Sequence, residues 1–204
     1  MRKDTNCGFA FFLKGEFFMK ISEMNDWLEQ APVIATVHSE DWSDAINSPV
    51  KTIFVLKANL RTIRNHIKEA HQADKKVFVH IDLSEGIGKD KVGIDFLADC
   101  GADGIVTTKG NMVKYAKDAG LISVQRFFAL DQQGVCAITE ISQSVLPDYI
   151  EIMPGVIDKI ILKFSVKGIP VIAGGLIETK QEITNALKCG AVAVSTGKTE
   201  LWSL

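Results

Sequence analysis

Polar side chains recur within segments that are otherwise apolar, and they define the chemistry that this sequence can support. In residues 77–83, His80 and Asp82 alternate with apolar residues. Since neighbouring side chains on a strand point to opposite faces, these two groups are predicted to share one face, where the carboxylate could orient or charge the imidazole. The same alternation predicts inward-facing polar groups on three later segments, namely Thr107, Lys109, Gln125 and Glu151.

Charged groups buried without partners are expensive, so Asp82, Lys109 and Glu151 are expected to pair with one another or with a ligand. Two interpretations remain open at this point. In one, these groups form a binding site. In the other, they form a layer of internal salt bridges that only fills the structure.

Two glycine-containing segments predict a phosphate site. Gly174 and Gly175 follow one apolar run, and Ser195-Thr196-Gly197 follows the next. Glycines at such positions let main-chain N–H groups approach an anion. The tripeptide at 197–199 is not part of a nucleotide-binding P-loop, because the required glycine at position 192 is replaced by Val192.

Composition excludes several classes of protein. A net charge of -2 and a pI near 6.1 give no global attraction to nucleic acid or to anionic lipid, so such a partner would need a local basic patch. No catalytic triad or metal-ligand spacing is recognisable. The four cysteines, at positions 7, 100, 136 and 189, form no CxxC pair, which favours reduced thiols in a cytoplasmic protein.

Strand-like and helix-like segments alternate along the chain, which is typical of a parallel sheet wrapped by helices. Strands are predicted at residues 33–38, 53–57, 77–83, 104–109, 122–128, 149–154, 170–176 and 191–197. Helices are predicted at residues 41–48, 60–73, 89–100, 111–119, 132–145, 155–166 and 180–189. Gly101, Gly120, Gly168 and Gly190 follow helices, where a left-handed cap is needed.

The predicted fold is a compact (β/α)8 TIM-type barrel of parallel strands. A leading helix at 21–30 is expected to plug its bottom through Met24, Trp27 and Leu28, and the last helix is a stub near 199–202. An open doubly wound sheet is the competing fold, but no GxGxxG follows the first strand. Residues 19–204 are predicted to form one domain, with residues 1–18 as an extension that has no role in the fold.

Several blocks of sequence resemble the glycerol uptake operon antiterminator regulatory protein family, in one order from about residue 31 to the end. They lie at residues 79–83 with Gly86 and Asp90, and then at 102–105, 108–109, 125–126, 147–151, 153–156, 169–177 and 201–202. The resemblance implies a small barrel that binds glycerol 3-phosphate and acts on leader messenger RNA. It implies a regulator that is not an enzyme and has no further cofactor or metal.

Carried over to this chain, the resemblance implies that Lys109, Arg126, Gly174, Gly175, Ser195 and Thr196 contact the effector or its phosphate. It also implies roles there for Asp82, Gln125 and Glu151. Gly197 belongs to the predicted phosphate site through the glycine-containing segments described above. The chain departs from the family pattern at His38, Gly110 and Gly197, which bears on the identity of the effector.

Two hypotheses about function follow. The first is the effector-controlled antiterminator, although the sequence shows neither stacking aromatic residues nor a basic stripe of the kind that RNA-binding proteins use. The second is a barrel enzyme, such as an epimerase or an aldolase-like catalyst, using Lys109 and Glu151 for acid–base chemistry beside a phosphate. The sequence leaves the oligomeric state open, including a homo-oligomer.

Overall fold

Eight parallel strands form a closed barrel in a computed structural model that describes residues 21–168 and 170–204, apart from the side chains of residues 39 and 141–143. The strands are Val33–Val37 (β1), Thr52–Val55 (β2), Lys76–His80 (β3), Gly104–Thr107 (β4), Ile122–Phe128 (β5), Tyr149–Met153 (β6), Val171–Gly174 (β7) and Ala193–Thr196 (β8). The ring closes because β1 pairs with both β2 and β8. The predicted barrel is thereby confirmed.

Helices alternate with these strands. They are Ile21–Gln30 (α1), Trp42–Asn47 (α2), Ile63–Gln72 (α3), Lys91–Asp99 (α4), Gly110–Asp118 (α5), Gln132–Val145 (α6), Asp158–Ser165 (α7) and Lys180–Lys188 (α8). Short 3-10 helices cover Ser39–Asp41, Ile81–Leu83 and Thr199–Leu201, the last being the predicted stub. None of the described helices is long and apolar enough to cross a membrane.

Two separate apolar cores hold the barrel together. The inner core fills the lumen, where Met24 and Leu28 of α1 pack with Phe54, Phe78 and Tyr149 of the strands, so the predicted plug is confirmed. The outer core lies between the sheet and the helices. Each strand therefore buries both of its faces, as expected for a parallel sheet.

Some predicted details hold and others do not. The four glycines predicted to cap helices do adopt left-handed φ angles, between +76° and +93°. The prediction for α7 is wrong at its start, because the helix begins at Asp158, and Val156 precedes it and is exposed. Within α7, the buried residues are Ile161 and Phe164. Residues 1–18 lie outside the described residues, so the prediction of an extension stays a prediction.

Candidate functional site

A cavity of about 360 Å³ opens at the carboxyl ends of the strands. It lies between the segments that follow β7 and β8 on one side and the lumen on the other. The lining residues are Thr36, Leu56, Arg126, Glu151, Met153, Gly175, Leu176, Ile177, Glu178, Ser195, Thr196, Gly197 and Lys198. The carboxyl ends of the strands are the face on which barrel proteins place their ligands.

The loop after β7 has the backbone geometry of an anion cradle. Gly175 and Leu176 adopt left-handed φ angles of +75° and +59°. The N–H groups of Gly175, Leu176 and Gly197 donate to no other atom within residues 21–168 and 170–204. Successive N–H groups in a left-handed turn form a concave site for a negatively charged oxygen.

Thr196 fixes the two loops relative to each other. Its hydroxyl donates to the carbonyl of Ile177, 2.8 Å away, and accepts from the N–H of Lys198 at 3.1 Å. The indole N–H of the buried Trp202 donates to the Thr196 carbonyl at 2.9 Å. The Thr196 side chain therefore holds the loop after β7 against the loop after β8, and this contact sets the shape of the cavity mouth.

Lys198 supplies a positive charge at the mouth of the cavity, and the sequence analysis missed it. Its Nζ lies 3.5 Å from a carboxylate oxygen of Glu178, and both side chains are more than half exposed. An exposed pair of this kind contributes little to stability, so the ammonium group can exchange Glu178 for a ligand at low cost. Its position directly after Gly197, in the predicted phosphate-binding segment, is the sequence feature that could have identified it.

A buried ion pair lies at the inner end of the cavity. One carboxylate oxygen of Glu151 accepts from Arg126 Nε at 2.6 Å, and the other accepts from the Ser195 hydroxyl at 2.6 Å. A Cβ atom added to Gly174 would lie 2.5 Å from both the Glu151 oxygen and the Ser195 hydroxyl. Position 174 therefore needs glycine because this cluster occupies the space above it.

His80 also points into the lumen but does not line the cavity. It is buried, and its Nδ1 atom has no hydrogen-bond partner among the described residues. Burial lowers the pKa of His80, and the positive charge of Arg126 lowers it further. The negative charges of Asp82 and Glu151 raise this pKa, but less than burial and Arg126 lower it. No hydrogen bond joins Asp82 to the imidazole within the described residues, so the prediction that Asp82 orients or charges His80 is wrong.

Asp82 instead forms hydrogen bonds with the residues at the end of the neighbouring strand, β4. It lies in the 3-10 turn after β3, and its carboxylate accepts from both the main chain and the hydroxyl of Thr108 and from the Thr107 hydroxyl, at 2.7–2.9 Å. Burial raises the pKa of Asp82, but these three hydrogen bonds more than offset it and the pKa lies below its usual value. Asp82 thus stabilises the rim between β3 and β4.

Two residues predicted to face the lumen face the helices instead. Val106 of β4 and Val124 of β5 belong to the lumen core, so alternation turns Thr107 and Gln125 outward, on the side of Phe127. Both amide atoms of Gln125 are buried without a partner among the described residues. The register prediction failed because both faces of these strands are buried and give no polar alternation to read.

Lys109 lies outside the cavity. It follows β4 as the exposed residue before α5, and the cavity lining does not include it. The predicted pairing of Lys109 with Glu151 is therefore wrong, since Glu151 is bonded to Arg126 and Ser195. Of the residues predicted to bind the effector, the cavity brings together Arg126, Glu151, Gly175, Ser195, Thr196 and Gly197, with Gly174 directly beneath.

The three departures from the family pattern have different surroundings. Gly197 lines the cavity, where an added Cβ would lie 3.4 Å from the Thr36 hydroxyl. An added Cβ at Gly110 would lie only 2.8 Å from a methyl of Val145, so glycine there serves the packing of α5 against α6. His38 is exposed and lies beside Trp42, away from the cavity.

The geometry separates two kinds of recognition within one cavity. The mouth presents main-chain N–H groups and Lys198, which suit a phosphate. The inner end presents a carboxylate whose charge is balanced by Arg126, together with the Ser195 and Thr36 hydroxyls, which suit neutral hydroxyl groups. No group of three or more potential metal ligands occurs within the described residues.

Comparisons with known proteins give one consistent result. The model of a family described as glycerol-3-phosphate responsive antiterminator matches residues 33–202. A protein of Escherichia coli (strain K12), described as uncharacterized protein YgcP, is 38% identical over 87% of this chain and 94% of its own length.

Solved structures agree with this result. A glycerol uptake operon antiterminator regulatory protein from Listeria monocytogenes is 34% identical, with a TM-score of 0.80 over 85% of this chain and 95% of that one. A glycerol uptake operon antiterminator-related protein from Thermotoga maritima is 33% identical, with a TM-score of 0.76 over 85% and 99%. Barrel enzymes that are only 12–17% identical share the fold alone.

Proposed function

The chain belongs to the glycerol-3-phosphate responsive antiterminator family, and we propose that it binds glycerol 3-phosphate in the rim cavity and then acts on the leader messenger RNA of glycerol-utilisation operons. The observation that carries this proposal is the cavity itself. Its mouth, lined by main-chain N–H groups and Lys198, would suit a phosphate, and its charge-balanced inner end would suit the hydroxyl groups of the same small molecule.

In this proposal the phosphate lies at the mouth. The N–H groups of Gly175, Leu176 and Gly197 donate to its oxygens, and Lys198 leaves Glu178 to pair with it. The glycerol hydroxyls reach inward, where Glu151 and the Ser195 hydroxyl can accept from them and the outer nitrogens of Arg126 can donate. Hydrogen bonds to charged groups contribute about 1.5–3 kcal/mol each, so the inner end adds both affinity and selectivity.

Effector binding would affect the rest of the molecule by ordering the loops after β7 and β8. The loop after β7 lines the cavity and leads directly into α8, whose capping box is formed by Thr179 and Glu182. A ligand that joins this loop to the one after β8 favours one arrangement of both, and it shifts the population only by its preference for that arrangement. An effector-dependent RNA surface near these loops is the expected outcome.

The enzyme alternative has lost the feature that supported it. It relied on Lys109 and Glu151 facing a phosphate together, and the structure separates them. Within the family, a regulator that leaves glycerol 3-phosphate unchanged is the better-supported role.

Calorimetry tests the effector. Titration with glycerol 3-phosphate should give binding much tighter than with glycerol or with inorganic phosphate, because each fragment satisfies one end of the cavity. At about 100 times Kd the ligand should raise Tm by about 5–10 °C. Phosphorus NMR after overnight incubation should show the ligand unaltered. Turnover, or equal affinity for phosphate alone, would contradict the proposal.

Filter binding tests the RNA partner. Leader RNA from a glycerol-utilisation operon should bind at low salt, and more tightly when glycerol 3-phosphate is present. A scrambled RNA of equal length is the control. Absence of binding at low salt with and without effector would rule out direct action on RNA.

A further inference from the structure

The side of the barrel formed by α7 and α8 carries five exposed lysines that form no ion pair with the described residues. Residues 158–188 contain five lysines and three carboxylates, in a chain whose net charge is -2. The lysines are Lys159, Lys163, Lys167, Lys180 and Lys188, and α7 packs beside α8. We refer to these five lysines as the α7–α8 basic face.

Six of the eleven lysines elsewhere in the described part of the chain have acidic partners. Ion pairs join Lys51 to Asp74, Lys57 to Glu85, Lys76 to Asp103, Lys91 to Asp95, Lys117 to Asp148 and Lys198 to Glu178. The five lysines of the α7–α8 basic face form no ion pair with any described residue. Two of the nearby carboxylates are engaged, since Glu182 closes the capping box and Glu178 pairs with Lys198.

Three of these lysines follow one another at four-residue spacing on and just after α7. Lys159 and Lys163 lie on α7 and project from one side of the helix about 6 Å apart, whereas Lys167 lies in the turn that follows the helix. All three are exposed, and Leu162 and Val166 are exposed beside them. Lys167 Nζ lies 5.5 Å from the centre of the Phe164 ring, and none of the three lysines pairs with a described carboxylate. A group of exposed cations with apolar contacts alongside is complementary to a polymer that carries repeated negative charges.

We infer that the α7–α8 basic face binds the phosphate backbone of RNA. This inference rests on the proposed function, which supplies RNA as the polyanion, and it adds where on the molecule the RNA lies. Neutralising phosphates with lysines releases counterions and gives salt-dependent affinity without a strongly basic chain. The face begins at the barrel rim, because α8 follows the loop that lines the effector cavity.

Other occupants fit less well. A membrane surface would need an apolar helix face to insert, but Ile161 and Phe164 of α7 are buried in the outer core. A second copy related by a twofold axis would place these lysines against one another, and like charges repel. An acidic protein surface is the remaining competitor, and the experiment below distinguishes it.

The test compares two triple variants of the full chain that have the same net charge. The first is Lys159→Gln, Lys163→Gln and Lys167→Gln. The control is Lys68→Gln, Lys89→Gln and Lys114→Gln, three exposed lysines without ion pairs to described residues on other parts of the surface. Unchanged Tm and unchanged affinity for glycerol 3-phosphate establish that both variants are folded and competent for the effector.

The readout is the affinity for leader RNA as a function of KCl concentration. The α7 variant should bind at least tenfold more weakly near 0.1 M salt, and its slope of log K against log salt should fall by about 2–3, since each lost phosphate contact removes about 0.7–0.9. The control should change affinity less than threefold and leave the slope nearly unchanged.

Four results would overturn the inference. Equal losses in both variants would assign the effect to net charge, and full RNA affinity in the α7 variant would exclude the face. Full RNA affinity with antitermination lost in cells would assign the face to an acidic protein. Failure of the unsubstituted chain to bind RNA at all would instead refute the RNA part of the proposed function, and the inference with it.

Discussion

The carboxylate of Glu151 and the guanidinium of Arg126 form an ion pair of 2.6 Å inside the barrel, and both side chains are buried. Their strands are adjacent, and the two residues are directly opposite in the register of β5 and β6. The pair closes the inner end of the cavity, so it serves both the fold and the candidate site.

Arg126→Met should destabilise the barrel strongly, because it leaves Glu151 buried without its counter-charge. Breaking a buried pair on one side costs about 3–5 kcal/mol, which urea unfolding would measure. The double variant Arg126→Met with Glu151→Leu should recover much of that loss, since it removes both charges. A double variant no more stable than Arg126→Met would show that the pairing is not the cause.

Gly175→Val should abolish binding of glycerol 3-phosphate while the barrel stays folded. Valine is strained at φ +75°, and its Cβ would lie 2.6 Å from the end of the Met153 side chain. Gly168→Val is the matched control, because φ there is +76° with nothing within 4 Å of the added Cβ. Calorimetry should show effector binding in the control alone. Unchanged affinity in Gly175→Val would place the phosphate elsewhere.

Lys198→Met should weaken glycerol 3-phosphate about tenfold to a hundredfold, the value of one or two charge-assisted hydrogen bonds. Stability should change little, since the pair with Glu178 is exposed. Lys114→Met, an exposed lysine on α5, serves as the control. Equal affinities for the two variants would remove Lys198 from the phosphate site.

Stability should fall in mild acid because of His80. Its pKa in the folded chain lies below the ordinary value of 6.5, so the unfolded chain binds a proton at higher pH than the folded one. Unfolding free energy should therefore decrease as pH drops below about 6.5, and His80→Asn should show a smaller decrease. His66, whose pKa is also lowered by burial, contributes in both chains. Identical pH profiles would contradict this assignment.

Strand count, closure and the glycine loops could be predicted because each has a local signature. Apolar runs bounded by helices give the eight strands, and left-handed caps require glycine at positions such as Gly120 and Gly190. The direction of the Gln125 side chain, toward the helices and not the lumen, could not be predicted, because strands buried on both sides show no alternation of polarity. The start of α7 was misjudged for a related reason, since Val156 and Ile157 are apolar but precede the helix.

Lys198 illustrates a second limit. Its position at the cavity mouth depends on Thr196, which joins the loops after β7 and β8, and on Glu178 across the mouth, and these contacts link residues that are separated in sequence. The α7–α8 basic face could not be predicted for the same reason. Whether its lysines have acidic partners among the described residues depends on contacts in space, which spacing along the chain does not reveal.

Closure of the ring has a consequence for recruitment of partners. Each of the eight described strands has a hydrogen-bonded neighbour on both sides, so the sheet offers no unpaired main-chain groups onto which another polypeptide could add a strand. A polypeptide partner must therefore be bound through side chains or loops and not by addition of a strand to this sheet. Exposed side chains on the helices can be substituted to alter such binding without removing any strand pairing of the barrel.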